Sequence, residues 1–288
     1  WDFGSIIYPG ANGTREMGER IAKIFCYVIG FLFLAVIEYY VEHRAAFLAD
    51  PGILPFQWRN NACTLLMIAL PFPFFLAMRR RPLYFGFSLL AVATILLTGS
   101  RGGLVFGLLE FALLIIYFAV KDKQHRKLYL TVTGIAVLLF LCLIPKWADF
   151  LDYTLERFTD MGENTIRLGL WKRSVEDFLS NPLTGRGLGY MGNRDLHKSA
   201  TAALCWYHST VPQIIGSFGI VGILSFAYQY YRRIRFFLSK RSLFSKTVLF
   251  SWIGLEMMSL VNPGIFAPVY LLCITVLFVI VENYEVEV

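Results

Sequence analysis

The chain has 288 residues, of which 57% are hydrophobic and 16% charged, and its mean hydropathy is +0.57. Soluble domains carry about a quarter charged residues, so a water-soluble globule is excluded. With 26 Phe and 15 Tyr against 23 Gly, 11 Pro and 5 Cys, so are a disordered chain, a collagen and a disulfide scaffold. A net charge of +7 would suggest a nucleic-acid partner in a soluble protein. In a membrane protein it raises a different question: on which side of the bilayer the basic residues lie.

The first residue is Trp1 and the first 20 residues form no span. The sequence therefore reads as the C-terminal part of a longer protein, with a cytoplasmic segment at 1–20. A bilayer core needs about 20 mostly apolar residues to be crossed by a helix. Windows of that kind fall at 21–41, 60–78, 83–98, 102–120, 128–145 and 209–231. The apolar stretch 247–281 is too long for one span and is split by the turn signal Asn262-Pro263-Gly264. The predicted fold is all-α: a polytopic transmembrane bundle of about eight spans. Five spans fall in 21–145 and three in 209–281, with a long loop at 146–208 and a cytoplasmic tail at 282–288.

Lys and Arg counts set the orientation. One set of connections holds sixteen of them: Arg15, Arg20, Lys23, Arg79, Arg80, Arg81, Lys121, Lys123, Arg126, Lys127, Arg232, Arg233, Arg235, Lys240, Arg241 and Lys246. The short connections opposite hold only Arg44, Arg59 and Arg101. The basic set is read as cytoplasmic. The long loop and the turn at Ser100-Arg101 are then extracytoplasmic, with Arg101 free to snorkel.

The long loop carries eight basic and eight acidic residues, so it is not a general anion sponge. Within it, Asn164 or Thr165 can cap a helix running to Ser180. Leu168, Trp171, Val175 and Phe178 share one apolar face suited to a membrane interface, and Asn181-Pro182 ends that helix. Gly185-Arg186-Gly187-Leu188-Gly189 follows a helix rather than a strand, so it is discounted as a dinucleotide fingerprint and reads as a flexible turn. Cys26, Cys63, Cys142 and Cys273 lie in spans, and Cys205 stands alone in the loop. No metal-ligand spacing is present, and no cofactor is expected.

Several motifs occur in order: Leu97-Thr98-Gly99-Ser100-Arg101-Gly102-Gly103, Arg167-Leu168-Gly169-Leu170-Trp171, Asn181-Pro182-Leu183-Thr184-Gly185-Arg186-Gly187, His208-Ser209-Thr210-Val211-Pro212-Gln213 and Gly219-Ile220-Val221-Gly222. Upstream, Asn61-Ala62 leads into Leu70-Pro71. From about residue 56 to 285 this resembles the O-antigen ligase and O-antigen polymerase family of membrane glycan transferases. Ser209 and Pro212 depart from that family's usual Asn and Leu. The resemblance implies transfer of a glycan from an undecaprenyl-diphosphate donor to an acceptor hydroxyl of a glycan, lipid or protein. The reaction would take place on the outer face of the bacterial cytoplasmic membrane.

The residues suit that chemistry. An arginine fork matches phosphate oxygens and keeps its charge, so Arg101 is a candidate ligand for the donor diphosphate; the alternative is an interfacial anchor. Gly102 and Gly103 would leave room for a headgroup. His208, at the mouth of a span, is the candidate base, because neutral imidazole accepts a proton near pH 7. His197 is the fallback, His43 lies in another loop, and His125 reads as solvated among cytoplasmic charges. By resemblance Arg167 is a second diphosphate ligand, or else the partner of Glu163 on its helix. Arg157 and Arg186 are weaker versions of the same idea. Trp171 packs its helix or stacks on a sugar, and Gln213 bonds to substrate or to a neighbouring helix.

Three acids, Glu38, Glu110 and Glu256, fall within spans. They support an alternative: a transporter or flippase of lipid-linked glycans that uses Glu110 and Glu256 as a relay. A transferase using an outer carboxylate such as Glu42 or Asp50 is a variant of the enzyme reading.

Overall fold

The computed structural model describes residues 11–49, 56, 58–159, 161–188, 207–262 and 264–284. Among these residues the chain is all-helical and contains no strand. Its helices are α1 (Ala11–Glu42), α2 (Arg44–Ala49), α3 (Arg59–Ala69), α4 (Pro71–Arg79), α5 (Phe85–Leu97), α6 (Arg101–Lys121), α7 (Arg126–Thr159), α8 (Met161–Ser180), α9 (Thr210–Ser239), α10 (Leu243–Ser259) and α11 (Pro268–Tyr284). Five segments are long and apolar enough to cross a membrane: Glu16–Glu42, Arg59–Arg79, Arg101–Lys121, Arg126–Pro145 and Thr210–Ser239. Pro82–Leu97 and Pro268–Asn283 are shorter apolar helices. Each of the eight expected windows holds helix.

There are three local departures from the sequence reading, two of them at prolines. The second window is two helices, α3 and α4, joined at Leu70-Pro71. Pro71 has no N–H to give, so the ladder breaks there, while the Leu70 N–H still donates to the Leu66 carbonyl at 2.8 Å. The fifth window does not end at Pro145: α7 runs on to Thr159 with the proline inside it. Proline removes one hydrogen bond, and a helix continues past it when its flanks are strongly helical. The first helix begins at Ala11, ahead of the expected start of the span.

The chain forms two compact units. One comprises Trp1–Phe158, Ser242–Gly254 and Ile274–Val288; the other comprises Thr159–Arg241 and Leu255–Cys273. The first unit has an aromatic core on α4, α5, α6 and α10, where Phe72, Phe74, Phe75, Phe85, Phe118 and Phe244 are buried. Phe74 lies 5.1 Å from Phe118, 5.3 Å from Phe85 and 5.9 Å from Phe111, centroid to centroid. Phe72 stacks on Phe25 of α1 at 4.2 Å. Ile135, Leu138, Leu139 and Leu141 of α7 are all more than half exposed. An open apolar face of that size suits lipid chains, which are as apolar as leucine.

The second unit is built on α8 and α9. The face of α8 that packs is not its most apolar one. Leu170, Ser174 and Asp177 are buried, while Leu168, Trp171, Val175 and Leu179 stay exposed. Three members of the stripe read from the sequence, Leu168, Trp171 and Val175, thus lie open, the fourth, Phe178, is half-buried, and the inward face is partly polar. Ser174 Oγ donates to the Pro212 carbonyl at the start of α9, at 2.9 Å.

Candidate active site

In the first unit, the turn between α5 and α6 carries Arg101. Ser100 caps α6: its Oγ accepts from the Gly103 N–H at 3.1 Å and donates to Asn60 Oδ1 on α3 at 2.8 Å. Thr98 Oγ1 donates to the Ile95 carbonyl at 2.7 Å and accepts from the Ser100 N–H at 3.3 Å. It also lies 3.1 Å from Cys63 Sγ. Thr98, Ser100 and Cys63 are buried. Arg101, half-buried, is therefore the first residue of a helix whose start is fixed to α3. Anions are favoured at that end of a helix by the free N–H groups and the dipole.

The room expected at Gly103 is taken. A Cβ there would run into the side chain of Cys63, so the missing side chain lets α6 approach α3 instead of a headgroup. Of the two asparagines opening α3, the exposed Asn61 is the one the motif singles out. Asn60 accepts the hydrogen bond from Ser100 that ties the turn to α3.

In the second unit, the segment Asn181–Gly187 docks on a broken helix. Inside α9, Gly219 has φ 59° and ψ −151°, far from helical values. The break frees the carbonyls of Gly216 and Ser217 and the N–H groups of Ile220 and Val221. The loop meets all four. Arg186 N–H donates to the Gly216 carbonyl and Gly187 N–H to the Ser217 carbonyl, each at 2.9 Å. Ile220 N–H donates to the Pro182 carbonyl at 2.8 Å, and Val221 N–H to the Leu183 carbonyl at 3.1 Å. Gly185, at φ +65°, lies so close to the Ser217–Phe218 backbone that a Cβ would overlap it.

The flexible turn expected at Gly185–Gly189 is thus corrected over its described part, residues 185–188. It is a docked segment whose glycines meet helix backbone. Arg186 stands in it with an exposed side chain. Arg167 is half-buried on α8. Its expected partner Glu163 has a side chain outside the described residues, as has Arg157, and His197 and Cys205 lie outside them altogether.

His208 follows at the mouth of α9. Among the described residues it is the one non-glycine with positive φ, at 52°. Its neighbours Tyr207 and Ser209 are 1% and 3% exposed. Tyr207 Oη donates to Asp177 Oδ2 at 2.7 Å. Tyr207 N–H donates to Gln213 Oε1 at 3.3 Å, and Gln213 Nε2 donates to Ser217 Oγ at 2.8 Å. Gln213 is fully buried, and both ends of its amide are engaged inside the unit. Asp177 is 2% exposed, with Arg173 Nε 3.5 Å from its other oxygen. Sequence reasoning missed Asp177, Tyr207 and Ser217. For Asp177 and Ser217 the one visible signal was polarity on helical positions that turn inward; Tyr207, in the bend ahead of α9, carried none.

The intramembrane acids differ from one another. Glu256 accepts from Tyr230 Oη at 2.6 Å and lies 3.6 Å from Arg233. Glu110 is fully buried, and neither of its carboxyl oxygens has a hydrogen-bond partner. A Cβ on Gly254 would come within 2.6 Å of it. Glu38 is exposed.

Two further described histidines belong to the first unit. His43 contacts the Tyr39 carbonyl one turn back at 2.8 Å. His125, expected to be merely solvated, instead has Nδ1 2.9 Å from Asp122 Oδ2. The same carboxylate accepts from Tyr129 Oη at 2.6 Å, and its Oδ1 accepts from the His125 N–H at 3.1 Å. Burial alone would raise the Asp122 pKa, but hydrogen bonds from Tyr129 and His125 and the charge of His125 outweigh it. The carboxyl is held below its ordinary value.

Compared with known families, residues 86–227 match the profile described as O-antigen ligase. That stretch runs from the start of α5 into α9 and includes Arg101, the docked loop and His208. No curated protein matches the chain.

Proposed function

Since residues 86–227 make this chain a member of the O-antigen ligase family, we propose that it transfers a glycan from an undecaprenyl-diphosphate donor to an acceptor hydroxyl at the outer face of the bacterial cytoplasmic membrane. The family assignment and the apolar helices make it a multi-pass membrane protein of the glycosyltransferase kind. The observation that carries the finer reading is His208. A histidine whose backbone is held in a strained region between two buried neighbours has the character of a functional side chain.

The roles follow residue by residue. Arg101 binds the donor diphosphate, and Arg167 and Arg186 supply further cationic contacts to it. Their charge stabilises the leaving group as the bond between the anomeric carbon and the phosphate oxygen breaks. The acceptor oxygen attacks that carbon, and its proton passes to the imidazole of His208. Undecaprenyl diphosphate leaves with the bonding electron pair. No metal or cofactor takes part in the scheme.

The test is transfer by the full chain in liposomes holding an undecaprenyl-diphosphate glycan and an acceptor. His208→Ala and Arg101→Ala are expected to abolish transfer, and EDTA to leave it unchanged. A fully active His208→Ala protein would overturn the mechanism. The buried, unpartnered carboxyl of Glu110 favours the transport alternative. Loss of function in Glu110→Gln alone, together with coupled proton movement, would establish that reading. The Tyr230 and Arg233 contacts of Glu256 account for that acid as part of a structural ion pair.

A further inference from the structure

The three residues Tyr207-His208-Ser209 alternate sharply. The outer two are buried and bonded, while the middle one is half-exposed with φ 52°. A non-glycine residue does not adopt that backbone unless its surroundings impose it. The imposing groups are identifiable. Gln213 acts on both sides of His208. Its backbone N–H donates to the Ser209 carbonyl at 3.0 Å, and its side-chain oxygen accepts from the Tyr207 N–H at 3.3 Å. Its amide cannot turn freely, because the other end donates to Ser217 Oγ at 2.8 Å.

Tyr207 is fixed at its far end as well. Its hydroxyl donates to Asp177 Oδ2 on α8 at 2.7 Å. Its ring lies against Gly216, where a Cβ would come within 2.8 Å of Cζ and Oη. The glycine therefore leaves the ring its place.

We propose that Asp177, Tyr207 and Gln213 are positioning residues that hold His208 in its left-handed backbone conformation and so aim its imidazole at the acceptor hydroxyl. The proposal rests on the reading of His208 as base. None of the three needs to touch substrate: each acts through the peptide units on either side of the histidine. A base displaced by about 1 Å can lose one to two orders of magnitude in rate. Loosening this frame is therefore expected to lower kcat and to leave donor binding alone.

The experiment measures kcat and donor KM of the full chain in liposomes for Tyr207→Phe, Asp177→Ala and Asp177→Asn, alongside His208→Ala. Tyr207→Phe keeps the ring and removes one hydrogen bond. The expected result is a fall in kcat of about tenfold, with donor KM changed by less than about twofold. Asp177→Ala gives a similar fall. Asp177→Asn, which keeps an oxygen to accept from Tyr207, stays within about threefold of the parent. Adding Tyr207→Phe to His208→Ala lowers the residual rate no further, because the tyrosine acts through the histidine.

Unchanged kcat in Tyr207→Phe overturns the proposal and leaves the base reading intact. So does, with rates taken per folded molecule on size-exclusion chromatography, an Asp177→Asn protein as impaired as Asp177→Ala. Full activity in His208→Ala overturns the base reading itself. If Tyr207→Phe does not fold, the contrast between Asp177→Ala and Asp177→Asn decides.

Discussion

Phe74 in the first unit and Tyr207 in the second are both buried aromatic rings, but they are held in different ways. Phe74 meets Phe85, Phe111 and Phe118 through ring faces and edges at 5.1–5.9 Å. Tyr207 is fixed by its hydroxyl on Asp177, its N–H on Gln213 and the bare backbone of Gly216. Ring contacts are weakly directional and fill space. Hydrogen bonds to a carboxylate and an amide specify angles, and buried polar groups are costly to leave unpaired. The first arrangement suits a scaffold. The second suits a place where one side chain must point in one direction.

Gly219→Ala is expected to have the largest effect on this contrast. At φ 59° and ψ −151° a side chain is strained, and its Cβ would come within 2.5 Å of the Pro182 carbonyl oxygen. The docked loop cannot move away without giving up its hydrogen bonds to residues 216–221. The expected cost is about 3 kcal/mol or more, seen as loss of folded protein in detergent. Parent-like yield and transfer would mean that the second unit does not depend on the docked loop.

Phe74→Ala comes next, with the opposite signature. In soluble cores such a truncation costs about 3–5 kcal/mol. Lipid chains are as apolar as the core, which removes much of the transfer share and leaves about 2–3 kcal/mol for the cavity. Thermal unfolding in detergent should show this loss, with transfer per folded molecule unchanged. A large fall in kcat per folded molecule would mean that the aromatic core also sets site geometry.

How much of this was legible in the sequence follows from the same division. Apolar windows and the Lys and Arg count rest on composition, so the helices at 83–98 and 102–120 could be read directly. The Arg-Gly-Gly and His-Ser-Thr motifs marked Arg101 and His208. What could not be read was contact. Gly103 is small for Cys63, not for a ligand, and nothing in the chain order says so. On α8 the hydrophobic period marked Leu168, Trp171, Val175 and Phe178 as a face for the membrane interface and left the inward face without a signal. In a membrane, lipid satisfies apolar residues, and the polar Ser174 and Asp177 need partners inside the protein. The period marked the open face, and the packing face had to be found from its contacts. The break at Gly219 is invisible locally, because its cause is a loop more than thirty residues earlier.

A smaller effect is expected at Asp122, the polar cap on the first unit's ring cluster through Tyr129. Asp122→Asn weakens three hydrogen bonds and should cost about 1–2 kcal/mol. The sign of the pH dependence is fixed by the direction of the shift. The folded carboxyl lies below its ordinary value, so its contribution is complete above an unfolded value of about 3.9 and is lost as pH falls through the lower folded value. Thermal unfolding followed from pH 7 into the acid range should show that extra loss in the parent and not in Asp122→Asn. Identical acid profiles would mean that the carboxylate network contributes no pH-linked stability.

The smallest effect on stability is expected on the open face of α8, where it tests most directly whether lipid completes the second unit. Leu168 and Val175 are 62% and 49% exposed, so Leu168→Ser with Val175→Ser should change stability in detergent by only about 0.5 kcal/mol. If the face lies on lipid, Trp171 between them, 40% exposed, is quenched by lipids brominated along the acyl chain. The signal is isolated by subtracting the Trp171→Phe protein. Serine at both positions weakens that quenching, because the interface helix loses the apolar area that seats it. An unquenched Trp171 would turn the face toward water. Its apolar stripe would then need a protein partner instead of a membrane, and the polar side of α8 would no longer be explained by lipid taking the apolar one.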